Sequence, residues 1–190
     1  MNSVEISQIA TLPTKYGTFK VQAFKEGEKE HLAIFTDSLE GLEVPIVRVH
    51  SECLTGDALG SIKCDCGEQL DAALSMISEE GGLIVYHRQE GRNIGLLNKI
   101  NAYALQDTGL DTVSANHQLG FKADERTYEI VTFVLNHLGI KKLKLLTNNP
   151  TKMESLPDIE ICERVPLKIE PNPYNKAYLD VKKAKMGHLL

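Results

Sequence analysis

Tryptophan is absent from this chain, and aromatic residues of all kinds fill only 6% of its 190 positions. Positive charge is also in short supply, with 21 Lys and Arg against 26 Asp and Glu and a net charge of −5. No stretch interleaves basic with aromatic side chains. General nucleic-acid binders carry a basic excess, and single-strand binders add aromatic platforms for the bases. Nucleic acid is therefore not an expected partner, although a local basic pocket is compatible with this composition. No apolar run approaches the roughly 18 residues that a membrane span requires. The first residues, "MNSVEISQIATLPTKYG", have no basic stretch followed by an apolar core, so they do not read as a secretory leader. A cytoplasmic protein without membrane contact is expected. Internal repeats and low-complexity segments are absent as well. Cysteine occurs only four times, and a chain of this length buries roughly 70% of its unfolded surface without disulfide staples.

The hydrophobic pattern predicts a mixed fold. "GTFKVQAF", "EHLAIFT" and "VPIVRVHSE" alternate or run apolar and read as strands. The third strand carries Arg48, His50 and Glu52 at a spacing of two, which places them on one face. "GEQLDAALSMISEEGG" then sets Leu70, Ala73, Leu74 and Ile77 at helical spacing, ended by Gly81 and Gly82. A strand "LIVYH", helices "GLLNKINAYALQDTG" and "DERTYEIVTFVLNHLG", a strand "KLKLLT", a short helix "NPTKMESL", a strand "ICERVPL" and a terminal helix "YNKAYLDVKKAKMGHL" follow. The expected class is α+β or mixed α/β: a β-rich N-terminal part, then alternating helices and strands, in one compact domain over residues 1–190.

Three of the four cysteines crowd into "CLTGDALGSIKCDC", Cys53 to Cys66. In a reducing compartment such spacing favours a metal site over disulfides. Three thiolates suit zinc, with a fourth position left to water in a catalytic site. A helix starting near Gly67 would place its positive end beside the thiolates. Two alternatives stand beside this: a closed structural site with His50 as fourth ligand, and three inert core cysteines. Lys63, Asp65 and Glu68 nearby weigh against the inert reading. Cys162, in an apolar strand, reads as a core residue.

Several polar stretches sit where a strand ends or a helix starts, where ligand sites of α/β folds form. "HRQEGRNIG" offers backbone N–H groups and the Arg88 and Arg92 guanidinium groups to an anion, and Glu90 is suited to accept two hydrogen bonds from an amine-bearing ring edge. In "ADERTYE", Asp124 reads as a helix N-cap, and Arg126 there opposes the helix dipole. "LLTNNPTK" offers Thr147 and Lys152 at another helix start, with Pro150 in its first turn. The plain reading of each is a solvated loop or a capped helix. Together with a metal site, they suggest hydrolysis of a phosphorylated substrate.

"RVHSECLTGD", "CDCGEQL", "HRQEGRNIGLLNKINAYALQD", "DTVSANHQLGFKADER" and "LLTNNPTK", in this order, closely resemble GTP cyclohydrolase II, from about Thr11 to the C-terminus. Asn93 departs from the family, which often has glycine there. The resemblance implies hydrolysis of GTP to 2,5-diamino-6-(5-phosphoribosylamino)pyrimidin-4(3H)-one, formate and pyrophosphate, the first step of riboflavin biosynthesis. It assigns one zinc to Cys53, Cys64 and Cys66, with zinc-activated water attacking guanine C8, and magnesium to the triphosphate. GTP contacts fall to Arg48, Val49, His50, Ser51, Glu52, Gln69, Glu90, Gly91, Arg92, Thr112, Thr147 and Lys152. The family's proton acceptor matches Asp124, its proposed nucleophile Arg126, and a tyrosine needed to complete the reaction Tyr103. Because a guanidinium stays protonated, charge stabilisation at the α-phosphate is the simpler role for Arg126, and the sequence leaves both roles open. The resemblance also implies a homodimer. Some relatives are fused to a second riboflavin-pathway enzyme, for which this chain has no room.

Two rivals belong to other classes. A zinc nucleobase deaminase would use an H-x-E element, which His50-Ser51-Glu52 matches, but also needs P-C-x-x-C, and Cys64-Asp65-Cys66 does not supply it. A zinc-stabilised binding module without catalysis fits poorly with the acidic charge balance.

Overall fold

The computed structural model describes residues 3–189. The chain divides into two compact units, each assembled from three segments. The first comprises Met1–His50, Leu70–Arg88 and Tyr128–Leu167, and the second Ser51–Gln69, Gln89–Thr127 and Lys168–Leu190.

An eight-stranded mixed sheet forms the body of the first unit. Its strands are β1 (Val4–Ile6), β2 (Ala10–Thr14), β3 (Gly17–Glu26), β4 (Lys29–Phe35), β5 (Ile46–Ser51), β6 (Gly82–His87), β7 (Lys142–Leu146) and β8 (Glu160–Val165). They lie in the order β1-β3-β4-β6-β5-β7-β8, with β2 also paired to β3. The early strands pair antiparallel, β1 and β2 with β3, β3 with β4, and β4 with β6. The later pairs, β5–β7 and β7–β8, are parallel and so need crossover connections. The division into a β-rich first part and an alternating second part follows from this.

The helices are α1 (Leu54–Asp57), α2 (Cys66–Glu80), α3 (Gly95–Asp107), α4 (Thr112–Gln118), α5 (Glu129–His137), α6 (Pro150–Glu154) and α7 (Lys176–Met186). None of the described helices is long and apolar enough to cross a membrane.

Strand β6 is buried on both faces and reads as an almost continuous apolar run, whereas in β7 the leucines are buried and Lys142 is exposed. Val47, Val49, Leu83, Val85, Leu143 and Leu145 pack with Ile130, Val131, Val134 and Leu135 of α5. Ile46, Ile84 and Leu146 pack instead with Ala73 and Ile77 of α2. Each such buried side chain contributes roughly 1.5–3 kcal/mol.

Local chemistry departs from the periodicity in four places. Helix α5 starts at Glu129, not at Asp124, and its N-cap is Tyr128. Asp124 is therefore not a helix cap, because its carboxylate is taken by Arg126. Helix α4 is additional: its apolar positions are too sparse for a clear period, and it is set by Asp111, whose side chain accepts from Val113 N and Ser114 N. Strands β1 and β2 are also additional, and are largely exposed. Cys162 is exposed, not a core residue, because β8 ends the sheet and most of its side chains remain accessible.

His31 on β4 is fully buried. Its Nδ1 accepts the Arg88 backbone N–H at 3.1 Å, so the neutral ring carries its proton on Nε2. Burial, with Lys29 and Arg88 nearby, lowers its pKa to about 4. The unfolded chain protonates this ring below about 6.5, so the stability it contributes is complete above that pH and is lost as pH falls toward 4. His31→Asn, which keeps an acceptor for Arg88, should lose less stability than the native protein between pH 7 and 4.5, by on the order of 2 kcal/mol. Urea unfolding at the two pH values measures the difference, and equal acid losses would rule out a neutral, buried His31.

Candidate metal and nucleotide site

The second unit gathers the three clustered cysteines. Cys53 precedes α1 and Cys66 opens α2. The Sγ atoms of Cys53, Cys64 and Cys66 all lie within 4.8 Å of one another, and those of Cys53 and Cys64 are 3.7 Å apart. Two glycines make this convergence sterically feasible. A Cβ at Gly56 would stand 3.0 Å from Cys66 Cβ, 3.1 Å from Cys64 Sγ and 3.2 Å from Cys53 Sγ. A Cβ at Gly67 would meet the Gly56 carbonyl oxygen at 2.5 Å. The α1 turn therefore packs directly under the sulfurs and against the start of α2. Three sulfurs converging on a glycine cradle fit a zinc ion. Among the described residues the metal-binding group consists of these three cysteines; His50, in the first unit, stacks on Tyr86 with ring centroids 5.5 Å apart.

Negative charge in the cluster is concentrated on Cys53. Hydrogen bonds from the Cys64 and Cys66 thiols, with the Lys99 ammonium beside it, hold Cys53 far below the usual thiol range. Its own hydrogen bond to Cys53 pushes Cys64 up to about 11, and Cys66 is raised by the same partner. Lys99 is buried on α3, with its Nζ 3.1 Å from Cys53 Sγ and 2.8 Å from Glu90 Oε1. Burial alone would lower its pKa, but Glu90 and Cys53 keep it raised. Glu90 also accepts from Gly91 N at 2.9 Å and, through Oε2, from Leu54 N at 2.7 Å. Tyr103, one turn beyond Lys99, lies with its hydroxyl 3.5 Å from Thr55 Oγ1, which is 3.6 Å from Cys53 Sγ. Burial raises the phenol to about 12, so it stays protonated.

Two loops of the same unit are clamped together. Gln89 accepts from Thr127 N and donates to Thr127 Oγ1, at 3.0 and 2.9 Å. Arg92 Nη1 donates to Ala123 O, and Asn93 Nδ2 to Glu125 O. Gly91, Arg92 and Asn93 have φ of 61°, 61° and 75°. Asparagine tolerates this left-handed backbone better than most residues. Arg126 Nε donates to both Asp124 oxygens at 2.9 and 3.1 Å, and Nη1 to Ser51 Oγ at 3.0 Å. Burial would raise the Asp124 pKa, but the Arg126 guanidinium holds it below the ordinary carboxylate range. Gln69 Nε2 donates to Asp65 Oδ2, Thr112 opens α4, and Glu52 stands between β5 and α1.

The remaining expected residues belong to the first unit, at the C-terminal ends of the parallel strands β5 and β7 and just beyond. Arg48 Nη1 donates to Leu146 O at 3.0 Å, and Lys152 Nζ to Val49 O at 2.6 Å. Thr147 Oγ1 accepts from Asn149 N, and Asn149 caps α6. Arg48, His50, Thr147 and Lys152 are all buried, unusual for polar side chains without a task. Lys99, Gly56 and Asp65 are additions from the structure. The signal for Lys99 was a lysine within the apolar pattern of α3.

Gly56→Ala should lower zinc affinity about 10–100-fold, as for other changes that misplace metal ligands. Gly41→Ala, where a Cβ meets nothing within 4 Å, should leave zinc affinity unchanged. Chelator competition on both proteins gives the answer, and native affinity in Gly56→Ala would show that the cradle is not needed.

Residues 5–166 match the family model of GTP cyclohydrolase II. The chain is 61% identical to the GTP cyclohydrolase-2 of Campylobacter fetus subsp. fetus, over 97% of this chain and 95% of that protein. It is 55% identical to the GTP cyclohydrolase-2 of Helicobacter pylori (strain Shi470) over the whole of both chains, and 58% identical to that of Cronobacter sakazakii over 95% of this chain and 94% of that protein. Among solved structures, it resembles a two-domain 3,4-dihydroxy-2-butanone 4-phosphate synthase from A. baumannii with a TM-score of 0.50 at 21% identity. That likeness covers 90% of this chain but only 41% of the other, and concerns the fold alone. The cysteine cluster, the clamped arginine loops and these matches lead to one assignment: the chain belongs to the GTP cyclohydrolase II family.

Proposed function

We propose that this protein hydrolyses GTP to 2,5-diamino-6-(5-phosphoribosylamino)pyrimidin-4(3H)-one, formate and pyrophosphate, the entry reaction of riboflavin biosynthesis, in the cytoplasm, with residues 1–190 acting as one functional domain. The cysteine cluster carries this reading, because it is a site built for a Lewis acid in a chain of this family. Cys53, Cys64 and Cys66 would hold zinc, which when bound supplies the acidity that makes water nucleophilic near neutral pH.

The chain's own residues divide the remaining work. Arg92, Arg126 and Lys152 supply fixed positive charge for the triphosphate, together with magnesium. Arg48, Val49, His50, Ser51, Glu52, Gln69, Gly91, Thr112 and Thr147 complete the GTP contacts. A carboxylate offers about four acceptor positions, and Glu90 already uses three of them. It therefore has room for one hydrogen bond from the guanine edge and also tethers Leu54 beside Cys53. The ion pair with Asp124 favours Arg126 as a charged stabiliser of the α-phosphate over a nucleophile. When the phosphate draws the guanidinium away, Asp124 becomes a better base and accepts a proton. Tyr103 donates its hydroxyl proton to orient the ring-opened formamide for the second hydrolysis.

We also read the protein as a homodimer. Leu97 and Ile100 on α3 are 76% and 46% exposed, and a second copy would cover them. Leu97→Glu should shift the protein toward monomer in sedimentation velocity. Unchanged sedimentation as a dimer would remove this helix from the interface.

Cleaving the α–β phosphoanhydride needs mainly positioning and charge neutralisation, whereas opening the imidazole ring needs an activated nucleophile. Cys66→Ser should therefore abolish formate release but retain some pyrophosphate release, with GMP as the other product. Cys162→Ser, on an exposed edge strand, should behave as the native enzyme in metal content and both activities. Separate assays for formate, pyrophosphate and GMP decide the matter. Formate made at the native rate by zinc-free Cys66→Ser would overturn the metal's role. Equal loss of both products in folded Cys66→Ser would show that the two hydrolyses cannot be separated.

A further inference from the structure

The match to the family ends at residue 166, and helix α7 lies beyond it. This helix nevertheless bears directly on the metal loop. Asp65 stands between the ligands Cys64 and Cys66 and is 1% exposed. A buried carboxylate next to thiolates is repelled by them and needs a cation. That cation comes from a residue 117 positions away: Lys182 Nζ lies 2.8 Å from Asp65 Oδ1. Lys182 is itself buried and stands over the Tyr178 ring at 4.3 Å. The other Asp65 oxygen accepts from Gln69 Nε2, one of the residues proposed to touch GTP.

The same C-terminal segment grips the loop at a second point. Asn172 Nδ2 donates to Ile62 O at 3.3 Å, within the ten-residue stretch between Cys53 and Cys64. Asn172 is fixed in turn, because its Oδ1 accepts from Tyr174 N and Asn175 N. Both grips act on the loop that carries Cys64 and Cys66, and neither touches a sulfur.

We propose that α7 is a strap for the metal loop, and that Lys182, by holding Asp65, is a positioning residue for the Cys64–Cys66 ligand pair and for Gln69. The proposal rests on the reading that the three cysteines hold zinc. It makes metal retention depend on a helix that supplies no ligand.

The test uses the zinc-loaded enzyme and its Lys182→Met, Lys182→Arg, Asp65→Asn and Asp65→Asn/Lys182→Met variants. Zinc transfer to a chromogenic chelator and hydrogen exchange of the α7 backbone amides are followed in each. Lys182→Met and Asp65→Asn should each release zinc at least about tenfold faster than the native protein, in the range for residues that orient metal ligands. Lys182→Arg should restore most of the retention. The double variant should be no worse than the worse single one, because both changes break the same pair. Exchange across α7 should rise in Asp65→Asn, although that substitution lies on the metal loop. Lys182→Met, folded by circular dichroism, that releases zinc at the native rate would overturn the strap alone. So would a double variant whose effect is the product of the singles. A native protein that binds no zinc would overturn the three-cysteine reading first, and this proposal with it.

Discussion

Three sulfur atoms come together in the second unit where the backbone leaves the space beside them empty. Here that space is the missing side chain of Gly56, with the missing side chain of Gly67 letting the two backbone segments close up. The rest of the second unit is arranged around this contact. With α1 seated against the start of α2, Cys53 and Cys66 face each other and Cys64 closes the group. Glu90 holds the first amide of α1, and Lys99 bridges that carboxylate to Cys53. Three thiolates around a divalent cation carry a net charge of about −1, which the Lys99 ammonium offsets.

A second constraint governs the arginines. A guanidinium that keeps its charge needs a partner that fixes its position. Asp124 does this for Arg126, and the clamp of Gln89 on Thr127 fixes the loop that carries both. Unusual backbone at Gly91, Arg92 and Asn93 is tolerated because side-chain hydrogen bonds on either side over-determine it.

Much of this was legible from the residues alone, for local reasons. Strands β3 to β7 and helices α2 and α3 follow from apolar periodicity, and the cysteine spacing by itself points to a metal. The misreadings also have local causes. Asp124 has the chemistry of an N-cap, but its carboxylate is held by the backbone N–H and guanidinium of Arg126 in the loop ahead of α5. Cys162 sits in a strand of apolar appearance, yet the position of that strand at the sheet edge is a property of topology. Helix α4 depends on one capping aspartate rather than on a period. The pairs Lys99–Cys53 and Lys182–Asp65 join residues 46 and 117 positions apart. No pattern in the sequence encodes such pairs, because the chain brings them together only after folding.

The alternation of the two units along the chain also affects how the protein is made. Synthesis proceeds from the N-terminus, and in ordinary multidomain proteins the first domain folds while the next is still being translated. That order is not available here, because the chain passes from one unit to the other at five junctions. The sheet lacks β7 and β8 until the third segment of the first unit, Tyr128–Leu167, has been made. The cysteines are made well before Lys182, which follows Asp65 by 117 positions. A nascent chain would therefore present three thiols for a considerable part of its synthesis before their surroundings are complete, exposed to oxidation and to whichever metal is most available.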